Sequence, residues 1–379
     1  MKEFSFKTRV FFGEGALDRL SKLHDKNVLI VTDRFISGIG LPALIESKLT
    51  NCNTAVFDGV VPNPPIEVIA AGIKALADCN ANSMIAVGGG STIDAAKGIK
   101  AVAKDALGVD TDKWECFAIP TTSGTGSEVT DYAVISDNQA GVKYPLASRK
   151  LEPPTAILDP ELTVSVPPAI TADTGMDALT HALEAYISTD SNEFSDAFCE
   201  KAIRMIFTFL PVAYEDGKNR YAREKMHIAS CMAGLAFNSA GLGLNHGMAH
   251  AIGAKLHISH GRSNAILLPY IMNFNAALDE AKDGNYSITA MKLCSIAKLL
   301  GMPASSIEEG VISLISGIVR LNLTMKLPTT LREHGVEPDQ LEKLRKEIVE
   351  AALADATTAT NPRKVTAAQI DALLTKVMG

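Results

Sequence analysis

Residues 84–97 read MIAVGGGSTIDAAK: a short apolar run, three glycines and the start of a helical pattern. The apolar residues predict a buried strand, and the pattern from Ser91 to Lys104 predicts a helix. Glycines at such a turn let the backbone approach a ligand, and the unpaired N–H groups of the first helical turn attract an anion. Because the GxGxxG spacing of a dinucleotide fingerprint is missing, a phosphate-binding turn and a plain turn capped by Ser91 fit about equally well.

Strands and helices alternate on either side of this turn. Strands are predicted at Asn27–Thr32, Thr54–Phe57 and Phe117–Ile119, and helices at Leu41–Leu49 and Ile66–Ala77. This alternation is typical of a parallel sheet covered by helices on both faces. The first part of the chain is therefore predicted to be an α/β domain.

The second half of the chain is predicted to be helical. Long helical patterns occupy Asp173–Ile187, Ser195–Val212, Ala222–Ala236, Ser287–Leu300 and Pro303–Leu321. Two prolines within Val164–Ala169 (VSVPPA) block the continuation of a helix or a strand. We predict an α/β domain over residues 1–167, an all-α domain over residues 168–379, and a site in the cleft between them.

Composition excludes several classes of function. With 43 acidic and 36 basic residues the chain carries a formal charge of −7, which disfavours nucleic acid and anionic membranes as partners. Its apolar stretches fall short of the roughly 18 residues of a spanning helix, and the N-terminus MKEFSFKTRVFF lacks the apolar core of a signal peptide. The six cysteines form no CxxC pair, so we expect reduced thiols in a cytoplasmic protein.

A second loop, Pro120–Glu128 (PTTSGTGSE), also follows a predicted strand and is rich in hydroxyl groups and glycine. Two such loops at strand ends of one sheet converge on one crevice, where a diphosphate-containing cofactor fits. Asp33 ends the first strand, where its carboxylate can bind the diol of an adenosine ribose and favour NAD over NADP. A helix cap or a turn is the alternative role for Asp33.

Four of the eight histidines lie within 15 residues: His246, His250, His257 and His260. His246 and His250 are four residues apart, as are Asp177 and His181 upstream, so each pair lies on one helix face. Nitrogen and oxygen donors without a thiolate favour Fe(II), Zn(II), Mn(II) or Co(II) in a reactive site over a structural zinc. Each pair alone could also be a surface or packing pair, and His257 is better explained as a loop residue.

These motifs together resemble the iron-dependent (group III) alcohol dehydrogenases. The resemblance is carried by GGGSTIDAAK (88–97), PTTSGTGSEVT (120–130), ILDPELTVSVPP (157–168), TGMDALTHALEAY (174–186), GLGLNHGMAHAIG (241–253), HGRSNAILLP (260–269) and TNPRKVT (360–366). Within the family, residues 134–146 (VISDNQAGVKYPL) and the short chain are most similar to 1-propanol dehydrogenases of propanediol- or ethanolamine-utilisation pathways.

The resemblance implies a dehydroquinate synthase-like fold, with a Rossmann-like domain that binds NAD(H) and a helical domain that holds Fe(II). The implied metal ligands are Asp177, His181, His246 and His260, and His250 is implied to assist proton transfer. The implied cofactor residues are Asp33, Asn63, Gly90, Ser91, Asp94, Thr121, Thr122, Thr130 and Lys143. Phe237 and Tyr132 are implied to line the substrate pocket. Ser259 stands where many members have proline, which is expected to loosen the loop before His260.

The implied activity is reversible hydride transfer between NAD(H) and short primary alcohols or aldehydes such as propanol and propionaldehyde. Three alternatives remain: a zinc-dependent glycerol or polyol dehydrogenase, a lyase related to dehydroquinate synthase, and a histidine-rich protein that stores metal. A homodimer or larger homo-oligomer is expected from the resemblance, and residence in a bacterial microcompartment is an open alternative to the free cytoplasm.

Overall fold

The structure, a computed structural model, describes residues 3–137 and 142–379, except for the side chains of Val142 and Lys143. The chain divides into two compact units. The first comprises Met1–Val166 and Lys218–Gly234, and the second comprises Pro167–Gly217 and Leu235–Gly379. No sequence pattern indicates that Lys218–Gly234 groups with the first unit. The domain boundaries predicted from the sequence, residues 1–167 and 168–379, stay a prediction. Among the described residues, no helix combines the length and apolar character that crossing a membrane requires.

The first unit is built on a parallel sheet. Its strands are β1 (Arg9–Phe12), β2 (Asn27–Asp33), β3 (Asn53–Val60), β4 (Ser83–Gly88), β5 (Glu115–Pro120) and β8 (Thr155–Leu158). They lie in the order β1, β8, β5, β4, β2, β3, and every neighbouring pair is parallel. Gly88 pairs with Pro120, so the carboxyl ends of β4 and β5 lie together at one edge of the sheet.

Helices cover this sheet because its central strands are apolar toward both faces. The helices that follow its strands along the chain include α1 (Arg34–Gly38), α2 (Leu41–Lys48), α3 (Ile66–Asp78) and α4 (Gly90–Leu107). Every residue of β4 is buried, as a strand with packing on both sides requires. Leu29 and Val31 of β2 pack in one core cluster, whereas Val28 and Ile30 pack in the other, in line with the two-residue period of a strand.

An antiparallel pair of strands, β6 (Tyr132–Asp137) and β7 (Val142–Ala147), stands outside the sheet. Its first strand packs against α4. The first unit also takes in most of helix α7 (Arg220–Ala240), up to Gly234.

The second unit is helical. Its helices are α5 (Pro168–Ile187), α6 (Glu193–Glu215), α8 (Leu244–Leu256), α9 (His260–Ala276), α10 (Ile288–Leu299), α11 (Ile307–Thr324), α12 (Pro338–Ala354) and α13 (Ala367–Met378). The helix α5 is central, since 15 of its 20 residues are buried. Gly175 lets α6 approach closely, because a Cβ there would lie 2.3 Å from Leu210 Cδ1.

The predicted fold class, a parallel α/β region followed by a helical one, is confirmed. The predicted helix starts are less accurate. The helix predicted from Pro303 begins at Ile307, because the Ser306 side chain accepts a hydrogen bond from the Glu309 N–H at 3.1 Å and caps it. The helix predicted from Ser195 begins at Glu193, and Ser195 instead completes a capping box with Asn192.

Candidate active site

Three helices of the second unit bring four metal-binding side chains together. Asp177 and His181 lie one turn apart on α5, His246 lies in the first turn of α8, and His260 begins α9. Each offers one ligand atom, and these atoms all lie within 4.8 Å of one another. Asp177, His181 and His246 are buried, whereas the His260 side chain is 41% exposed. The structure therefore assembles the four residues predicted as metal ligands.

The buried amide of Asn264 shows that these donors face a common point. Its Nδ2 lies 2.7 Å from Asp177 Oδ1, and 3.2 Å from Nε2 of both His246 and His260. The Asn264 amide has two hydrogens and can donate to two of these atoms at once, and three of the four metal-binding side chains place an atom within 3.2 Å of its nitrogen. A carboxylate and imidazoles aimed at one point suit a divalent transition metal, and the donor set fits the metal that the sequence predicts.

Glu184 fixes the orientation of His246. Its carboxylate lies 2.5 Å from His246 Nδ1 and accepts the backbone N–H of Asn245 at 2.7 Å. In the tautomer that carries its hydrogen on Nδ1, His246 donates to the ionised form of Glu184 and leaves Nε2 as the acceptor that faces the Asn264 amide. Burial raises the pKa of Glu184 to about 8 and holds the pKa of His246 well below its ordinary value. His246 is therefore neutral and presents Nε2 as its ligand atom.

His250 lies beside this cluster without belonging to the four donors. Its Nδ1 is 2.9 Å from Asp355 Oδ2, and its ring centroid is 5.3 Å from that of His260. Burial acts to raise the pKa of Asp355, but hydrogen bonds from His250 and Thr357 outweigh it and lower that pKa to about 2. The ionised Asp355 holds the Nδ1–H of His250, so Nε2 is the nitrogen available for proton transfer, the role predicted for this residue.

Asp173 secures the start of α9, where His260 lies. It is 2.6 Å from Arg262 Nε and accepts a hydrogen bond from the Ser259 hydroxyl at 3.1 Å. Gly261 lies directly against the same turn, since a Cβ there would be 2.3 Å from the Asp173 carbonyl oxygen. Ser259, which was expected to loosen the loop before His260, is therefore held by a hydrogen bond to Asp173.

We expect the Asp173→Ala variant to bind its metal about 10-fold more weakly, because residues on both sides of His260 lose their anchor. Competition with a coloured chelator measures the dissociation constant directly. The Asp173→Asn variant, which keeps an acceptor for Ser259, should lose less. Unchanged metal affinity in the alanine variant would show that Asp173 does not hold His260.

The predicted pocket residues lie in different units. In the second unit, the Phe237 ring stacks on His181 with a centroid distance of 4.5 Å, so an apolar side chain adjoins the metal ligands. In the first unit, Tyr132 begins β6 and is 41% exposed. Burial of part of its ring raises the pKa of its hydroxyl. Its predicted role in the substrate pocket remains a prediction.

The two predicted phosphate loops of the first unit touch each other. We call Pro120–Thr130 the hydroxyl loop. A Cβ on Gly90 would lie 2.7 Å from Thr125 Cγ2, so only glycine permits this approach. Close by, the Asn63 N–H donates to the Ser91 hydroxyl at 3.3 Å.

Asp94 and Lys97 connect α4 to the hydroxyl loop and to the strand β6. The Asp94 carboxylate accepts the Ser127 hydroxyl at 2.6 Å and the Val134 N–H at 3.0 Å, so both its oxygens have partners within the protein. The buried Lys97 ammonium donates to the carbonyl oxygens of Thr130 and Tyr132 at 2.8 and 2.7 Å. The structure places Asp94 where its carboxylate holds Ser127 and Val134 in position. Direct contact of Asp94 with the cofactor stays a prediction.

The remaining predicted cofactor residues lie at the ends of the strands. The Thr121 N–H donates to the Gly88 carbonyl at 3.0 Å, and the Thr122 side chain lies near Gly89. Asp33 Oδ1 caps α1 by accepting the Ile36 N–H at 2.9 Å, as its alternative role required. The Lys143 side chain lies outside the described residues.

Sequence reasoning missed the residues that hold the predicted metal ligands, His250 and the hydroxyl loop in place. Glu184 follows Asp177 and His181 at helical spacing within the quoted motif, so its position on the same face of α5 was available as a signal. Asp355 and His227 carried no signal, because each reaches its partner across more than 100 residues of sequence. Such contacts depend on tertiary packing.

His227 is buried beneath the hydroxyl loop, and burial lowers its pKa to about 4. The unfolded chain takes up this proton near pH 6.5, so we expect stability to fall as the pH decreases from 6.5 toward 4, by on the order of 3 kcal/mol. Urea unfolding of wild type and of a His227→Gln variant at pH 7.5 and 5 measures the contribution. An equal pH dependence of the unfolding free energy in both proteins would show that His227 makes no such contribution.

Two family models match the chain. The model "Iron-containing alcohol dehydrogenase" matches residues 7–160, and the model "Fe-containing alcohol dehydrogenase family, C-terminal" matches residues 171–378. The chain therefore belongs to the iron-containing alcohol dehydrogenase family. The enzyme class predicted from the sequence, an NAD-dependent alcohol dehydrogenase of this family, is confirmed.

Individual proteins and solved structures are also similar to the chain. A 1-propanol dehydrogenase of Citrobacter freundii is 41% identical over the whole of both chains. A crystal structure of a 1,3-propanediol oxidoreductase superposes with a TM-score of 0.88, at 34% identity and complete coverage of both chains. Sulfoacetaldehyde reductase from Bifidobacterium kashiwanohense in complex with NAD+ has a TM-score of 0.86 at 27% identity, covering 100% of this chain and 99% of the other. The predicted likeness to 1-propanol dehydrogenases is confirmed.

Proposed function

We propose that this protein interconverts short primary alcohols and aldehydes, such as 1-propanol and propionaldehyde, by hydride transfer with NAD(H) and with Fe(II) as its metal. The observation that carries the proposal is the convergence of Asp177, His181, His246 and His260 on one point. The similarity to a 1-propanol dehydrogenase supports the choice of a short, unbranched substrate.

The metal would be held by Asp177, His181, His246 and His260. When bound, Fe(II) supplies a Lewis acid that polarises the carbonyl oxygen of the aldehyde. The protein contributes a preset geometry, because Glu184 and Asn264 orient the imidazole of His246 before any ligand arrives.

Proton delivery falls to His250 in this proposal. Reduction of an aldehyde places negative charge on its oxygen, and a proton must then reach that oxygen. Asp355 holds the Nδ1–H of His250, so the opposite nitrogen, Nε2, exchanges the proton with substrate or water. The Phe237 ring on His181 keeps one side of the ligand cluster apolar, which favours a short hydrocarbon chain over a polyol.

The nicotinamide cofactor would be held by both loops of the first unit. The proposed contacts are Asp33, Asn63, Gly90, Ser91, Asp94, Thr121, Thr122, Thr130 and Lys143. The N-terminus of α4 and the hydroxyl groups of the loop offer hydrogen-bond donors to a pyrophosphate.

Asp33 is proposed to select NAD over NADP. Its Oδ1 caps α1, while a carboxylate has a second oxygen that can bind a ribose diol and that repels a 2′-phosphate. We expect the Asp33→Ser variant, which keeps a capping oxygen, to lose about 10-fold in kcat/KM with NADH and to gain with NADPH. Steady-state kinetics with both cofactors measures this ratio. An unchanged ratio would leave Asp33 with the capping role alone.

The proposed function is tested by NADH oxidation with propionaldehyde, using protein purified without oxygen and assayed metal-free, with Fe(II) and with Zn(II). Activity mainly with Fe(II) is the expected result. Activity restricted to diols with Zn(II) would instead favour a polyol dehydrogenase. NAD binding without net NADH consumption under any metal would favour a lyase-like reaction. A homo-oligomer, a cytoplasmic location and residence in a microcompartment stay predictions.

A further inference from the structure

One face of α7 is packed against the hydroxyl loop, and the proposed function gives that face no role. His227, Ser230 and Gly234 follow each other at spacings of three and four residues, so they lie on one side of the helix. All three are buried. They belong to the segment that joins the first unit despite lying far along the chain.

The imidazole of His227 holds the hydroxyl loop at two points. Its Nε2 lies 3.2 Å from the Pro120 carbonyl oxygen, and its Nδ1 lies 2.9 Å from the Ser123 hydroxyl. Because a carbonyl oxygen only accepts, Nε2–H donates to Pro120, and Nδ1 accepts the hydroxyl hydrogen of Ser123. Both ring nitrogens of a neutral His227 therefore have hydrogen-bond partners in the hydroxyl loop. The two anchored residues, Pro120 and Ser123, bracket Thr121 and Thr122, which are two of the proposed cofactor contacts.

A pair of glycines forms a third point of attachment. Gly126 has φ +64°, and a Cβ there would lie 2.6 Å from Gly234 Cα. A Cβ on Gly234 would lie 2.9 Å from both Gly126 Cα and Val129 Cγ2. Backbone atoms of the loop and of the helix are therefore in direct contact, and a single added methyl group would push the loop away.

We propose that His227 and Gly234 are positioning residues for the dinucleotide, which hold the hydroxyl loop in the conformation that binds NAD(H). This rests on the cofactor assignment of the proposed function. A loop of small hydroxyl residues and glycines is costly to order upon binding, and fixing it beforehand removes that cost from the affinity. His227 and Gly234 touch neither cofactor nor metal ligands in this role.

The test is the dissociation constant for NADH, measured by calorimetry on metal-loaded protein. The His227→Leu variant removes both hydrogen bonds and should raise the constant about 10-fold or more. The His227→Gln variant can keep a donor for Pro120 and the His227→Asn variant an acceptor for Ser123, so each should fall between wild type and leucine. Gly234→Ala should weaken binding through displacement of the loop. Met232→Ala, on another side of α7 and half-buried, is the control expected to match wild type.

Two further measurements, steady-state kinetics and hydrogen exchange, distinguish a displaced hydroxyl loop from a loss of folded protein. The KM for NADH should rise while kcat at saturating NADH and the metal affinity stay unchanged, whereas partial unfolding would lower kcat and the calorimetric stoichiometry. Hydrogen exchange of amides 121–130 should accelerate in His227→Leu and Gly234→Ala. Wild-type NADH affinity in all of these variants would overturn the inference. If the wild-type protein itself failed to bind NADH, the proposed function would be wrong. In that case the positioning role would be rejected separately if amides 121–130 exchanged at the same rate in the variants as in wild type.

Discussion

His260→Ala is expected to abolish metal binding and to lower kcat/KM for propionaldehyde by at least about 10³-fold. The variant removes one of four donors, and the polarisation that a bound metal supplies contributes several kcal/mol to the barrier, at 1.36 kcal/mol for each factor of ten. His260 is the ligand best suited to this test because its side chain is 41% exposed, so its loss creates little empty space in the core. Metal content after desalting and the rate of NADH oxidation give two independent readings.

His257→Asn is the matched control. His257 lies three residues before His260 in an exposed turn with φ +55°, a conformation that asparagine tolerates. We expect it to retain metal and activity. A His260→Ala protein that kept its full metal content and its full rate would refute the assignment of this site.

Glu184→Gln is expected to weaken metal binding by about 10- to 100-fold, the usual cost of losing a partner that orients a ligating histidine. Glutamine has the same shape, but its NH2 group cannot accept the N–H groups that now converge on the carboxylate from His246 Nδ1 and the Asn245 backbone. One of these buried donors is left without an acceptor, and the ring of His246 loses its fixed orientation.

Chelator competition on Zn(II)-loaded protein measures this loss, with thermal unfolding as a check on folding. Glu200→Gln is a suitable control, because it alters a glutamate that bonds the Tyr186 hydroxyl at 3.0 Å instead of a ligand. If Glu184→Gln bound metal as tightly as wild type, Glu184 would have to be regarded as a packing residue.

Much of the architecture could be predicted from local pattern. The buried run before Gly88 and the helix after it are visible because strands and helices impose different periods on apolar residues. The spacing of Asp177 and His181 likewise placed both on one face of α5. Helix starts were less accurate, since the choice of capping residue at Ser306 depends on local hydrogen bonds that compete with one another.

The supporting contacts of the site could not be predicted in this way. Asp355 reaches His250 across 105 positions, and His227 reaches Pro120 across 107. A single sequence carries no periodic signal for such pairs, because their geometry arises only when the helices pack. The glycines at 126 and 234 show the same limitation: each is an ordinary glycine in the sequence, and the need for both appears only in their contact.

Ser259 shows that a backbone angle can be encoded in more than one chemical way. Its φ of −58° and ψ of 147° are values that proline also adopts. A pyrrolidine ring would impose the first angle covalently, whereas here a hydroxyl group bound to Asp173 selects the same geometry non-covalently. A sequence pattern that requires proline at position 259 would therefore not match this chain. Two different side chains, a proline and a hydrogen-bonded serine, are therefore compatible with the same backbone angles at this position.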